Sequence, residues 1–352
     1  MDGGMLPQDG EVQLGTVMLP RGKRIFPADD RSDGQARPVA WVTDSSVPDP
    51  GQTWLALSDM HPQTGLVPVL IANWGSSWDV DDLVAAPEDL PDLAPLDRLD
   101  AAKVLGALWA FNETGVDEDA EESEQPARPW PTPHSSAFLG LPQPGEGAAS
   151  LDEIVGAVMR VTTDPAANAE LARLSELDRQ EAGVVLPDRE TVHAESERRR
   201  AERAARARPF PGLAPPADGG ALTASEIGAA LAGLPTARIC LVPAPRAADV
   251  LATIGWTTFD DCYEPVPVTN SVWIGAVLRS WEDRFGARLL SIGPDAAELR
   301  LLVQRPPRTE QAAGQIAAEQ CAFADECLSG LNEIPQLAPA LVSAPIWRFW
   351  WD

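Results

Sequence analysis

The stretch Ser271–Val303, SVWIGAVLRSWEDRFGARLLSIGPDAAELRLLV, changes period halfway along, and that change decides the fold. Its first half sets Trp273, Ile274, Val277, Leu278, Trp281 and Phe285 three and four residues apart, one apolar stripe of a helix that Asn270 or Ser271 caps and Gly286 ends. Its second half reads as two strands, Arg288–Ile292 and Glu298–Val303, joined across the turn residues Gly293, Pro294 and Asp295. Upstream, Ile239–Val242 is a buried-strand run stopped by Pro243 and Pro245, and Arg246–Ile254 fits a helix ended by Gly255. Downstream, Pro306 and Pro307 stop the strand and Thr309 caps a helix expected to run to about Gly330. The closing Ile346–Asp352 reads as a last strand, with Trp347, Phe349 and Trp351 on one face and Ile346, Arg348 and Trp350 on the other. The order β-α-α-β-β-α-β is split-βαβ-like, so the expected class is α+β, an antiparallel C-terminal sheet with helices on one face.

Farther out the pattern loosens. Residues 1–112 read as a β-rich module, with strands at Val12–Val17, Pro38–Thr43, Trp54–Leu57 and Gly65–Ala72 and a helix at Asp97–Phe111. Residues 113–150 form an acidic, proline-rich segment of net charge −7 that opens with Asp117–Glu124; such a block cannot bury enough apolar area to offset ordering entropy and reads as a flexible linker. Residues 151–237 read as a helical and linker region. It includes helices at Leu151–Val161 and from Asp164 to about Gly183, a solvated Arg/Ala/Glu helix over Glu190–Arg208, and a proline-rich break at 206–220.

The 352 residues hold 53 acids against 27 Lys and Arg, a net −26, which argues against nucleic acid or an anionic membrane surface as partner, since both are held by cations. The longest apolar run, Gly65–Trp74, contains Pro68 and is half the roughly 20 residues that span a bilayer. Asp2 and Asp9 stand where an export signal would carry bases, so a cytoplasmic protein with reduced cysteines is expected.

Several C-terminal runs resemble one bacterial family: Leu278–Ala287, Arg305 to Pro307, the Ala317–Phe323 stretch and the terminal Trp347–Asp352. They are similar to domain-of-unknown-function family 4253, frequent in high-GC actinobacteria, over roughly residues 238–352. His61–Leu70 is similar to a stretch that often precedes this domain, although Val67 stands where an aromatic is expected. The family carries no established activity, so the resemblance implies a domain and no reaction.

The residues themselves point weakly to chemistry. Cys321 and Cys327 fall on different faces of one helix, and Cys240 and Cys262 are 22 apart, so no zinc-knuckle spacing exists and no metal is expected. The three histidines, His61, His134 and His193, lie outside the C-terminal domain, and neither a nucleophile elbow nor a phosphate or dinucleotide loop occurs, so no cofactor is expected. Carboxylates remain. Glu319 borders the apolar stripe between Ile316 and Phe323, where it must be paired, with Arg284 or Arg305, or serve as a catalytic or ligand group. Glu282, Asp283 and Arg284 complete the catalytic candidates, with Arg279 as the natural i,i+4 partner of Asp283. The binding candidates are Trp281, Arg279, Arg305, Trp347, Trp350, Trp351 and Asp352: aromatics that pack or stack, and a terminal residue with two carboxylates that an arginine such as Arg279 or Arg284 would clamp. The expectation is a non-enzymatic binding protein, of immunity type, for a basic protein partner. The alternative is a small-molecule-binding or hydrolytic enzyme centred on Glu319 and Arg284.

Overall fold

The computed structural model describes residues 5–27, 37–72, 93–114, 207–217, 219–256, 271–293, 298–324 and 334–350, with isolated positions between 138 and 205. The chain divides into two compact units, residues 1–113 with 208–352, and residues 114–207. In the second, exposed pairs Glu170–Arg173 and Arg198–Glu202 join residues three and four apart on helical turns. The reading at 151–161 and most of those at 113–150 and 164–183, together with His134, His193, Cys262, Cys327, Trp351 and Asp352, lie outside the described residues; the described positions 166, 167, 169, 170, 173 and 174 are helical.

The first unit is built on one eight-stranded sheet. Its strands are β1 (Gly10–Leu14), β2 (Val17–Ile25), β3 (Ala40–Thr43), β4 (Leu66–Ala72), β5 (Ala237–Pro243), β6 (Ala287–Ile292), β7 (Glu298–Val303) and β8 (Ile346–Trp350), in the spatial order β1-β2-β3-β5-β4-β6-β7-β8. All neighbours are antiparallel except β4 and β6, which run parallel and pair only at Leu70–Ile71 with Ser291–Ile292. The sequence pattern does not say whether the two halves of the chain pack together. They share this sheet: β4 lies between β5 and β6, in register with β5 along its whole length from Leu66↔Pro243 to Ala72↔Ala237.

Both faces are covered, which explains why the central strands read as nearly continuous apolar runs. Val67, Val69, Ile71, Cys240, Val242, Leu289 and Leu301 face a large core closed by α2 (Ala101–Thr114), α4 (Val250–Ile254), α5 (Ser271–Phe285), α6 (Glu310–Phe323) and α7 (Ile334–Leu341). The opposite face, with Trp41, Leu70, Ile239, Leu241 and Leu302, is covered by α1 (Pro50–Thr64) and α3 (Ala224–Leu231). The C-terminal helices thus lie on one face of an α+β sheet, and the helices of the other face come from elsewhere in the chain.

Trp54–Leu57 is helical, not a strand. The Asp49 side chain accepts from the Gln52 amide, Pro50 occupies the first turn, and Trp54, Leu57 and Ser58 bury one face of α1. Close packing of α1 on α3 requires Gly51, where a β-carbon would stand 2.6 Å from the Leu231 carbonyl oxygen. Thr309 caps α6 as expected, by accepting from Ala312, but the helix ends at Phe323, and α7 is an additional short helix.

Candidate functional site

Helices α5 and α6 bring Trp281, Arg284 and Glu319 together in the large core. Trp281 and Arg284 share the inward stripe of α5, three residues apart, and Glu319 occupies the matching stripe of α6. Glu319 is wholly inaccessible. One carboxylate oxygen accepts from the Ala214 amide at 2.6 Å and Arg284 Nη1 at 2.7 Å; the other accepts from Trp281 Nε1 at 2.8 Å and Arg284 Nη2 at 2.6 Å. Arg284 is equally committed: Nη1 also donates to the Ala214 carbonyl at 2.8 Å, and Nε donates to Ser280 Oγ at 3.0 Å. This bidentate pair, with every lone pair answered, is the arrangement that lets two charges leave water.

The unexpected member is Ala214. The proline-rich break expected at 206–220 docks against the core as an extended strap over residues 208–217. Glu319 and Arg284 grip both the N–H and the C=O of Ala214, Trp109 Nε1 donates to the Arg208 carbonyl at 2.7 Å, and Phe210 packs on the Trp109 ring. Composition alone reads such a segment as a linker because its prolines outweigh its apolar residues; its hydrogen-bonded anchors are backbone groups, which leave no trace in side-chain pattern, and Phe210, Leu213 and Ala217 pack beside them.

The aromatic ending fills the core beside this pair. Phe349 stacks on Trp281 at 5.2 Å, Trp347 meets Trp281 edge-on at 5.7 Å, and Phe323 closes a third side at 5.0 Å. Trp347 is buried and Trp350 half-buried, with Arg348 over the Trp350 ring. Arg305 does not reach Glu319; its Nη2 donates to the Asp283 carbonyl.

Glu282, Asp283 and Arg279 lie on the other side of α5. The expected Arg279–Asp283 pair does not form. Arg246 takes both acids instead, at 3.3 Å to Glu282 and 2.6 Å to Asp283, while Arg279 reaches back to buried Asp249 at 2.5 Å and exposed Asp97 at 2.6 Å. The Asp249 hydrogen bond, aided by Asp97, holds the Arg279 guanidinium above its ordinary value against the cost of burial. Burial pulls Arg246 down, but Asp283 and Glu282 outweigh it. Both arginines therefore stay charged, and the cluster fastens α5 to the segment before α4 without offering a mobile proton. Asp249, Arg246 and the buried Glu298, which pairs with Arg300 two residues along its own strand and with Arg348 on β8, are absent from the sequence reading; the partners of Asp249 and Arg246, and Arg348, are distant in the chain.

Burial pushes the Cys240 thiol up to about 12, which leaves it protonated and unreactive. Among the described residues no group of three His, Cys, Asp or Glu side chains is placed to hold a metal, and no helix is long and apolar enough to cross a membrane. A small cleft elsewhere, lined by Ser58, His61 and Arg288 among others, shares no residue with the Glu319 cluster.

Comparison with known families bears out the C-terminal resemblance: residues 238–352 match the family described as Domain of unknown function (DUF4253). No curated protein and no solved structure matches the chain.

Proposed function

We propose, taking as premise that the C-terminal third of this chain is a DUF4253 domain, that the protein is a non-enzymatic cytoplasmic binding protein whose acidic surface receives a basic protein partner. The observation that carries this reading is the saturation of Glu319. A general acid or base needs an oxygen within reach of substrate, and both oxygens here are inaccessible and already accept two donors each. The alternative enzyme centred on Glu319 and Arg284 loses its chief support, since the pair acts as a clamp on the strap. The net charge of −26 supports attraction to cationic surfaces, with exposed carboxylates such as Asp97 and Asp283 contributing.

Interferometry of the full chain against an immobilised arginine-rich peptide tests the reading. Association is expected to slow by about tenfold or more between 50 and 300 mM salt. No binding, or binding indifferent to salt, overturns it.

A further inference from the structure

Strands β4 and β6 run parallel but pair only at Leu70–Ile71 with Ser291–Ile292, so their N-terminal ends are left unpaired with each other. A small, half-open cleft is lined there by Trp54, Ser58 and His61 of α1, by Val67 and Pro68 of β4, by Ala247, and by Arg288 of β6. Two of its polar side chains are unengaged. Most arginines of the matched domain are tied to a carboxylate or a carbonyl, yet Arg288, half-buried, has neither hydrogen bond nor ion pair among the described residues. Ser58 is 5 % exposed and its hydroxyl likewise has no partner among the described residues. The other polar groups are fixed walls: Trp54 Nε1 donates to the Pro68 carbonyl at 2.9 Å, and His61 Nε2 lies 2.9 Å from the Ala244 carbonyl, which can only accept, so the proton sits on Nε2.

We infer that this cleft is a carboxylate-binding site, in which the Arg288 guanidinium and the Ser58 hydroxyl receive the carboxylate of a small organic acid. A half-buried cation without a counter-charge is attractive to an anion, and more so where water is partly excluded. The guanidinium fork matches a planar carboxylate, with two parallel N–H···O bonds. The site is separate from the acidic surface invoked for protein binding, and its success or failure leaves that reading untouched.

Acetate is the probe, titrated into the full chain at constant ionic strength, with the midpoint of thermal unfolding as readout. Ligand bound only to the folded state raises that midpoint along a saturating curve. The wild type is expected to show this rise, with Arg288→Met weakening the apparent affinity by about tenfold or more, as loss of a charged hydrogen-bonding partner implies. Ser58→Ala removes one hydroxyl from a helix that favours alanine, so it serves if Arg288→Met does not fold; a loss of about threefold or more is expected. An equal response in wild type and both variants, no response at all, or stabilisation by phosphate in preference to acetate overturns the assignment.

Discussion

Replacing Glu319 by Gln keeps the shape of the side chain and removes its charge. The new amide must face two donors whichever way it turns: Ala214 N–H with Arg284 Nη1, or Trp281 Nε1–H with Arg284 Nη2. The Arg284 guanidinium, 11 % exposed, is then left in the core without its counter-charge. Removing one partner of a buried pair costs about 3–5 kcal/mol, and each stranded donor about 1–3 kcal/mol in terms that overlap, so a net loss of about 4 kcal/mol is expected. That is a large part of the 5–15 kcal/mol typical of a folded domain. Urea unfolding of the full chain, followed by tryptophan fluorescence, should show a midpoint lower by roughly 1–2 M. Hydrogen exchange should show the Ala214 amide losing protection at the same time, because its acceptor is gone. The double variant Glu319→Leu with Arg284→Met should recover part of the loss, since no charge remains buried, though Ala214 still lacks both partners. A Glu319→Gln unfolding free energy within about 1 kcal/mol of wild type, with Ala214 protection intact, would refute the clamp and leave Glu319 available for chemistry.

Three further outcomes follow from the same geometry. Arg279→Ala should cost roughly 3 kcal/mol because it strands Asp249, whose side chain is 2 % exposed, whereas Asp97→Ala, at a position 79 % exposed, should cost less than about 1 kcal/mol; thermal unfolding of both variants makes the comparison. Cys240 should resist iodoacetamide at pH 8.5 in the native state and react on unfolding; its raised pKa also means that its contribution to stability is full below about 9 and declines as pH climbs toward about 12, so unfolding midpoints should fall across that window. Residues 238–352 expressed alone should aggregate, because without β4 the facing edges of β5 and β6 are bare; co-expression with residues 37–72 should raise the soluble yield if that strand is what is missing.

Local signals made much of this fold readable. The Trp273–Phe285 stripe, the stop at Gly286, the Thr309 cap and the strands on either side of Gly293 each depend on residues a few positions apart, and each is where the sequence puts it. Glu319 stood out because a carboxylate between Ile316 and Phe323 on one helical stripe must find a partner, and Arg284 was among those named. Trp54–Leu57 differs from the expected strand because a run of four apolar residues suits a strand or a helix equally; the deciding signals are Asp49 and Pro50 just before it. The Arg246 pairings span some 36 residues, and the Ala214 grip uses backbone atoms that every residue has, so neither writes a pattern into the chain. The placement of β4 between β5 and β6 is likewise set by register across long separations.

That placement bears on how the protein comes to be folded. During synthesis β4 emerges early, with its own α1 beside it, and must remain competent to pair until β5 arrives some 165 residues later. Pairing across such a separation makes for slow closure of the sheet, and the exposed edge of β4 is a risk during the delay. The cost of closing a loop rises only with the logarithm of its length, so residues 114–207 could lengthen or shorten considerably at little expense to the finished sheet. The architecture therefore tolerates variation in the middle of the chain while demanding fidelity at its two ends, and selection acting on the midsection would be largely free of the constraints on the sheet.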